Sequence, residues 1–116
     1  MADNLSWLAG LLEGEGCFFV GKRDKKSPYW RICVQLIMTD EEPVAKAAGI
    51  MGTTYSLSSR RTKGDKKIYR TVLYGKRAIA LMLSIRDLMC ARRQQKIQQC
   101  LDIWNSMPRQ KEQEVA

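Results

Sequence analysis

The chain has 116 residues, 45% of them apolar and 28% charged, with 20 Lys+Arg against 12 Asp+Glu and a net charge of +8. That length gives one domain able to bury a core, and no stretch approaches the roughly 20 apolar residues of a membrane span. The absence of histidine removes every scheme with a His base or nucleophile, and the positive surplus points to nucleic acid or another anionic surface.

Asp3 or Asn4 can cap a first helix over roughly 5–15, with Trp7, Leu8, Leu11 and Leu12 on one side and Gly16 ending it. Its apolar run lacks a basic leader and stops at Glu13, which argues against a signal peptide and for a chain that stays inside the cell. "CFFVGKR" reads as a strand and "DKKSP" as a turn. "YWRICVQLIM" alternates: Trp30, Ile32, Val34 and Leu36 point one way, and Tyr29, Arg31, Cys33 and Gln35 the other. "TDEEP" starts a helix, with Thr39 or Asp40 as cap and acids in the first turn, ending by Gly52.

"TYSLSSR" and "KKIYRTVLY" form a second strand pair around a turn at "TKGD". The register of the fourth strand is open: either Lys67, Tyr69 and Thr71 or Ile68, Arg70 and Val72 occupy the outer face. After Gly75 an apolar helical stripe runs through Ala78, Ile79, Leu81, Met82, Ile85, Leu88 and Met89. A last helix carries Ile97, Cys100, Leu101, Trp104 and Met107 and stops at Pro108, leaving residues 109–116 as a polar tail after a single domain over 1–108. Cys17, Cys33, Cys90 and Cys100 show no C-x-x-C spacing, so they read as small core residues and not as a zinc site.

The predicted fold class is α+β, in the order αββαββα(α), with helices on one face of a four-stranded antiparallel sheet. The other face is expected to be polar and basic, shaped for a DNA major groove, where Arg and Gln find guanine and adenine edges. Tyr29, Arg31 and Gln35 belong to it, joined by Arg23, Arg60, Arg61, Lys67 and Arg70.

The stretch "LAGLLEGEG", residues 8–16, poses a physical question. Glu13 and Glu15 fall in the last turn of a helix, the negative pole of its dipole, where carboxylates are disfavoured. The glycine spacing is wrong for a dinucleotide fingerprint, and no Gly-Lys-Ser/Thr follows to make a P-loop. Gly10 and Gly14 are spaced for close helix packing, and the glutamates forbid a bilayer. What remains is a helix pair packed backbone to backbone, bringing a carboxylate from each end to one spot.

These nine residues resemble the motif of the LAGLIDADG homing endonucleases, with Leu12 and Glu13-Gly14-Glu15-Gly16 standing where that family has Ile-Asp-Ala-Asp-Gly. The predicted order of elements is also that family's, across most of the chain. The resemblance implies that Glu15 is the metal-binding carboxylate, that the Gly14 carbonyl completes the protein's ligands, and that Glu13 supports the helix end. It implies a dimer interface at Leu8, Gly10, Leu11 and Gly14. It implies a basic residue near the scissile phosphate at the start of the last helix, with Arg93 as first candidate and Arg92 or Lys96 as alternatives. The polar, water-holding residue that the resemblance implies at the end of the second strand falls at Met38, a departure, with Gln35, Thr39 or Asp40 as substitutes.

Two glutamates at two dipole-negative helix ends repel unless divalent cations lie between them. Mg²⁺ suits such a place, and Mn²⁺ or Ca²⁺ can occupy it. One motif supplies one Glu15, so the resemblance implies a homodimer on double-stranded DNA, with a near-palindromic target. It also implies cleavage of both strands across the minor groove to leave 3′ overhangs, with no small-molecule cofactor. A non-cleaving DNA binder on the same fold, such as a maturase or repressor-like derivative, is the alternative. A small protein-binding domain would leave the charge and the glutamates unexplained.

Overall fold

Asp3 starts the first helix: its carboxylate accepts the Ser6 N–H at 2.6 Å, and the extended backbone of Gly16 ends the helix, donating to the Leu12 carbonyl. In this computed structural model, residues 3–22, 26, 28–58 and 66–108 are described. Helix α1 (Asn4–Glu15) leads directly into β1 (Gly16–Lys22), followed by β2 (Trp30–Met38), α2 (Glu41–Met51), β3 (Tyr55–Leu57) and β4 (Tyr69–Tyr74). Helix α3 (Gly75–Ile85), a 3₁₀ turn (Arg86–Leu88) and α4 (Ala91–Ser106) complete the described chain. The expected αββαββα(α) order is present, in one antiparallel sheet of order β1-β2-β4-β3. No described helix is long and apolar enough to cross a membrane.

Alternation in β1, β2 and β4 sends Phe18, Ile32, Val34, Leu36 and Leu73 under the helices. They pack there against Leu8 and Leu12 of α1, Val44 of α2, Met82 of α3 and Ile97 of α4. Thr71 faces the same way although it is polar, because its hydroxyl donates to the Thr54 carbonyl at 2.9 Å. That bond resolves the register of β4: Tyr69, Thr71 and Leu73 face the helices, and Arg70, Val72 and Tyr74 face outward.

Four expectations need correction. Tyr29 lies before β2, half-buried against the core, and is not part of the outer face. Lys67 precedes β4 and is exposed, outside the strand. The apolar stripe after Gly75 does not continue as one helix: the backbone tightens at Arg86, leaving Leu88 52% exposed while Met89 is buried. Of the cysteines, Cys33 and Cys100 are buried as expected, but Cys17 and Cys90 are exposed. Arg23, Arg60, Arg61, the turn at 62–65 and the tail 109–116 lie outside the described residues.

Candidate functional site

The two glutamates of α1 have different surroundings. Glu13 turns to α4, where one carboxylate oxygen accepts the Cys90 N–H at 2.8 Å and the other lies 3.0 Å from the Cys90 thiol. Cys90 is the cap position of α4 and gives that helix no side-chain cap of its own. Glu13 therefore places negative charge at the positive end of a neighbouring helix, where it is favoured. Arg93, in the first turn of α4, returns the contact by donating to the Gly16 carbonyl at 2.9 Å and to the Glu13 carbonyl at 3.1 Å. Its guanidinium satisfies carbonyls that the end of α1 leaves open. Arg77 of α3 does the same for α2, donating to the carbonyls of Met51 and Gly52.

Within the chain, the Arg93 guanidinium donates to the end of α1 and stands over the Phe18 ring, 5.7 Å from the centroid, so it positions the helix end. Lys96 donates to Gln99 at 3.3 Å, whereas Arg92 is exposed.

The Cys90 thiol, the Cys90 N–H and the charges of Arg93 and Arg92 together hold the Glu13 carboxyl below the usual glutamate value. A group lowered by folding adds stability above its unfolded value, and that stability is lost as pH falls through the folded value. Denaturant unfolding of the wild-type chain should therefore weaken more than that of Glu13→Gln as pH falls below about 4.3. Parallel pH profiles for the two chains would show that the contact contributes nothing.

Glu15 closes α1 as an exposed side chain with no hydrogen bond or ion pair among the described residues. Its neighbour Gly14 is exposed too. A carboxylate and an adjacent carbonyl are hard oxygen donors of the kind Mg²⁺ takes, with water and phosphate oxygens filling the remaining positions. No group of three or more His, Cys, Asp or Glu side chains able to hold a metal occurs among the described residues. One chain thus offers a partial ligand set that fits a hard divalent cation.

The helix face beside Glu15 is open. A Cβ added at Gly10 or Gly14 would meet nothing within 4 Å, so packing within the chain does not require either glycine. Leu11 is half-buried against the core. Leu8 is 0% exposed and belongs to the core of its own chain, which corrects its assignment to a dimer interface.

The outer face of the sheet is less basic and more apolar than expected. Across the strands run the rows Cys17–Gln35–Val72, Phe19–Cys33–Tyr74 and Ile37–Arg70–Ser56. Phe19 is 51% and Tyr74 45% exposed, while Cys33 between them is only 5% exposed and burial pushes its thiol upward. The polar groups form a network: Arg70 Nε donates to Gln35 Oε1 at 2.9 Å, and Arg70 Nη2 donates to the Tyr74 hydroxyl at 3.4 Å. The Arg31 guanidinium stands 5.4 Å from the centroid of the Tyr74 ring. Alternation revealed Arg31 and Gln35, but no local pattern marked Tyr74 as their partner.

Sequence comparison finds no matching family model and no matching curated protein. Structural comparison is informative. The homing endonuclease I-CvuI, in complex with its target, superposes with a TM-score of 0.69 at 14% identity over 90% of this chain and 67% of that one. The group I intron-encoded homing endonuclease I-CeuI, complexed with DNA, gives 0.60 at 14% identity over 97% and 70%. The LAGLIDADG homing endonuclease I-GzeII, in complex with a DNA target, gives 0.54 at 13% identity over 92% and 45%. The chain thus has the fold of the LAGLIDADG homing endonucleases, in agreement with the resemblance of its motif. It spans 45–70% of the lengths of these three proteins.

Proposed function

We propose that this chain is a site-specific double-strand DNA endonuclease that works as a homodimer through α1 and depends on a divalent metal. The observation that carries the reading is the end of α1, where Glu15, without a partner among the described residues, and the Gly14 carbonyl adjoin a helix face on which a Cβ added at Gly10 or Gly14 meets nothing within 4 Å among those residues. Two copies meeting at Gly10 and Gly14 bring two Glu15 carboxylates together. Each Glu15 holds the cation with its carboxylate, and each Gly14 adds a carbonyl oxygen. The bound metal supplies Lewis-acid polarisation of the phosphate and activation of water. The remaining work belongs to the protein: Glu13 and Arg93 hold the α1 end rigid, and exposed Arg92 is available to the backbone phosphate. The sheet face reads the bases in the major groove, cleavage crosses the minor groove to leave 3′ overhangs, and the target is long and near-palindromic. Such an activity belongs to intron or intein mobility inside a cell.

A second reading, a non-cleaving DNA binder, is favoured by Met38, which ends β2 half-buried against the core and presents no polar group. A plasmid library carrying randomised sites separates the two. Linear products with Mg²⁺ and none with EDTA support the endonuclease. Retention of DNA without a metal-dependent double-strand cut supports the binder.

A further inference from the structure

We infer that a cavity on the outer sheet face, lined by Phe19, Gly21, Lys22 and Arg31, receives an unpaired nucleobase of a single-stranded nucleic acid, stacked on the Phe19 ring. The inference goes beyond duplex binding by the same face and needs only that the chain binds nucleic acid. The cavity holds about 340 Å³. Phe19 and Gly21 share the outer face of β1, and Arg31 pairs with Gly21 across the strands. A Cβ added at Gly21 would lie 2.7 Å from Phe19 Cε1 and 2.9 Å from Cζ, so the glycine leaves the space that the ring occupies. The ring is seated over the backbone and is still 51% exposed. A second cavity of about 340 Å³ is lined by Arg31 and Tyr74. Arg31 thus belongs to both cavities, with an exposed aromatic ring in each.

An exposed aromatic ring on such a face has two uses. In the major groove of a duplex the bases present their edges, and the ring gains only an apolar contact, as with a thymine methyl. An unpaired base presents its face, and stacking on an aromatic ring then works with any base, because each has a π-face. The geometry favours the second use. A methyl contact needs neither a cavity nor a glycine beneath the ring, whereas a base laid on Phe19 needs the open volume beside it. Arg31 supplies a planar guanidinium wall that can stack and donate to phosphate oxygens. Lys22, whose ammonium stands 5.2 Å from the Trp30 centroid, adds a second positive charge at the cavity for the backbone. Stacking does not distinguish one base from another, so the site is expected to tolerate sequence.

The test is fluorescence anisotropy of the full chain with labelled, unstructured single-stranded RNA and DNA of one sequence, and with the matching DNA duplex. Salt is fixed, because phosphate contacts make affinity salt-dependent, and EDTA is present to prevent cleavage. The wild-type chain should bind the single strands. Phe19→Leu keeps an apolar contact but removes the stacking face, and should weaken that binding about 5- to 150-fold with duplex affinity unchanged. Gly21→Ala pushes the ring from its seat and should lower single-strand affinity too, whereas Phe19→Tyr keeps the ring and should bind as wild type. Tighter binding of RNA assigns the strand as RNA, through its 2′-hydroxyls, and equal or tighter binding of DNA assigns it as single-stranded DNA. Wild-type single-strand affinity in Phe19→Leu, or an equal loss on the duplex, would overturn the stacking site and leave duplex binding intact. A wild-type chain that binds the duplex alone would do the same, and one that binds neither would overturn the DNA-binding reading as well.

Discussion

Glu15→Gln is expected to fold, dimerise and bind its DNA site as the wild-type chain does, and to lose double-strand cleavage by a factor on the order of 10³ or more. The expectation follows from what Glu15 touches. Among the described residues it has no partner, so removing its charge breaks no contact within the chain. It also removes a carboxylate from a helix C-terminus, which slightly favours the metal-free fold. What is lost is a charged ligand in a site where a metal contributes several kcal/mol of transition-state stabilisation. Glu13→Gln is the matched control. Glu13 is held by Cys90 and lies 3.9 Å from Arg93 Nε, so its neutral form should affect the joint between α1 and α4 more than the chemistry. Single-turnover cleavage at saturating Mg²⁺ distinguishes the two, and wild-type rates for Glu15→Gln would remove α1 from the active site.

The different fates of Glu13 and Glu15 mark the boundary of what can be read without coordinates. Local signals were legible: Asp3 and Gly16 bound α1, Gly52 ends α2 in a left-handed conformation, and alternation separated inward Ile32, Val34 and Leu36 from outward Arg31 and Gln35, although Trp30, placed in the inward set, is exposed. The order of elements and the resemblance of residues 8–16 to the LAGLIDADG motif also made the fold legible. Contacts between distant residues were not legible. The partners of Arg93 lie 77 and 80 positions away, and a charge at a helix start looks the same whether it meets a phosphate or a carbonyl. The register of β4 was ambiguous because polar Thr71 faces inward, and the bond to Thr54 that permits this is a tertiary contact. Leu8 was assigned to an interface through the motif that contains it, and a motif does not show which core a leucine joins.

Gly10→Leu should move two quantities in opposite directions. Within one chain the site is empty, since a Cβ there meets nothing within 4 Å, and glycine is a poor residue in a helix interior. The substitution should therefore stabilise the isolated fold by about 0.5–1 kcal/mol. Between two chains the same side chain would fill the space where the helices approach. Overpacking a fitted contact costs about 1–3 kcal/mol, and two-fold symmetry imposes it at both copies. Dimer affinity should fall by at least about 30-fold, and cleavage should fall with it because one chain brings only one Glu15. Gly49, in α2, provides the comparison: it is also exposed, and an added Cβ there likewise meets nothing within 4 Å. Gly49→Leu should raise helix stability similarly and leave association and cleavage unchanged. Light scattering at micromolar concentration, paired with denaturant unfolding, reads both quantities. A Gly10→Leu chain that gains stability and remains dimeric would place the contact between copies elsewhere, and the paired glutamates would then need another route to one phosphate.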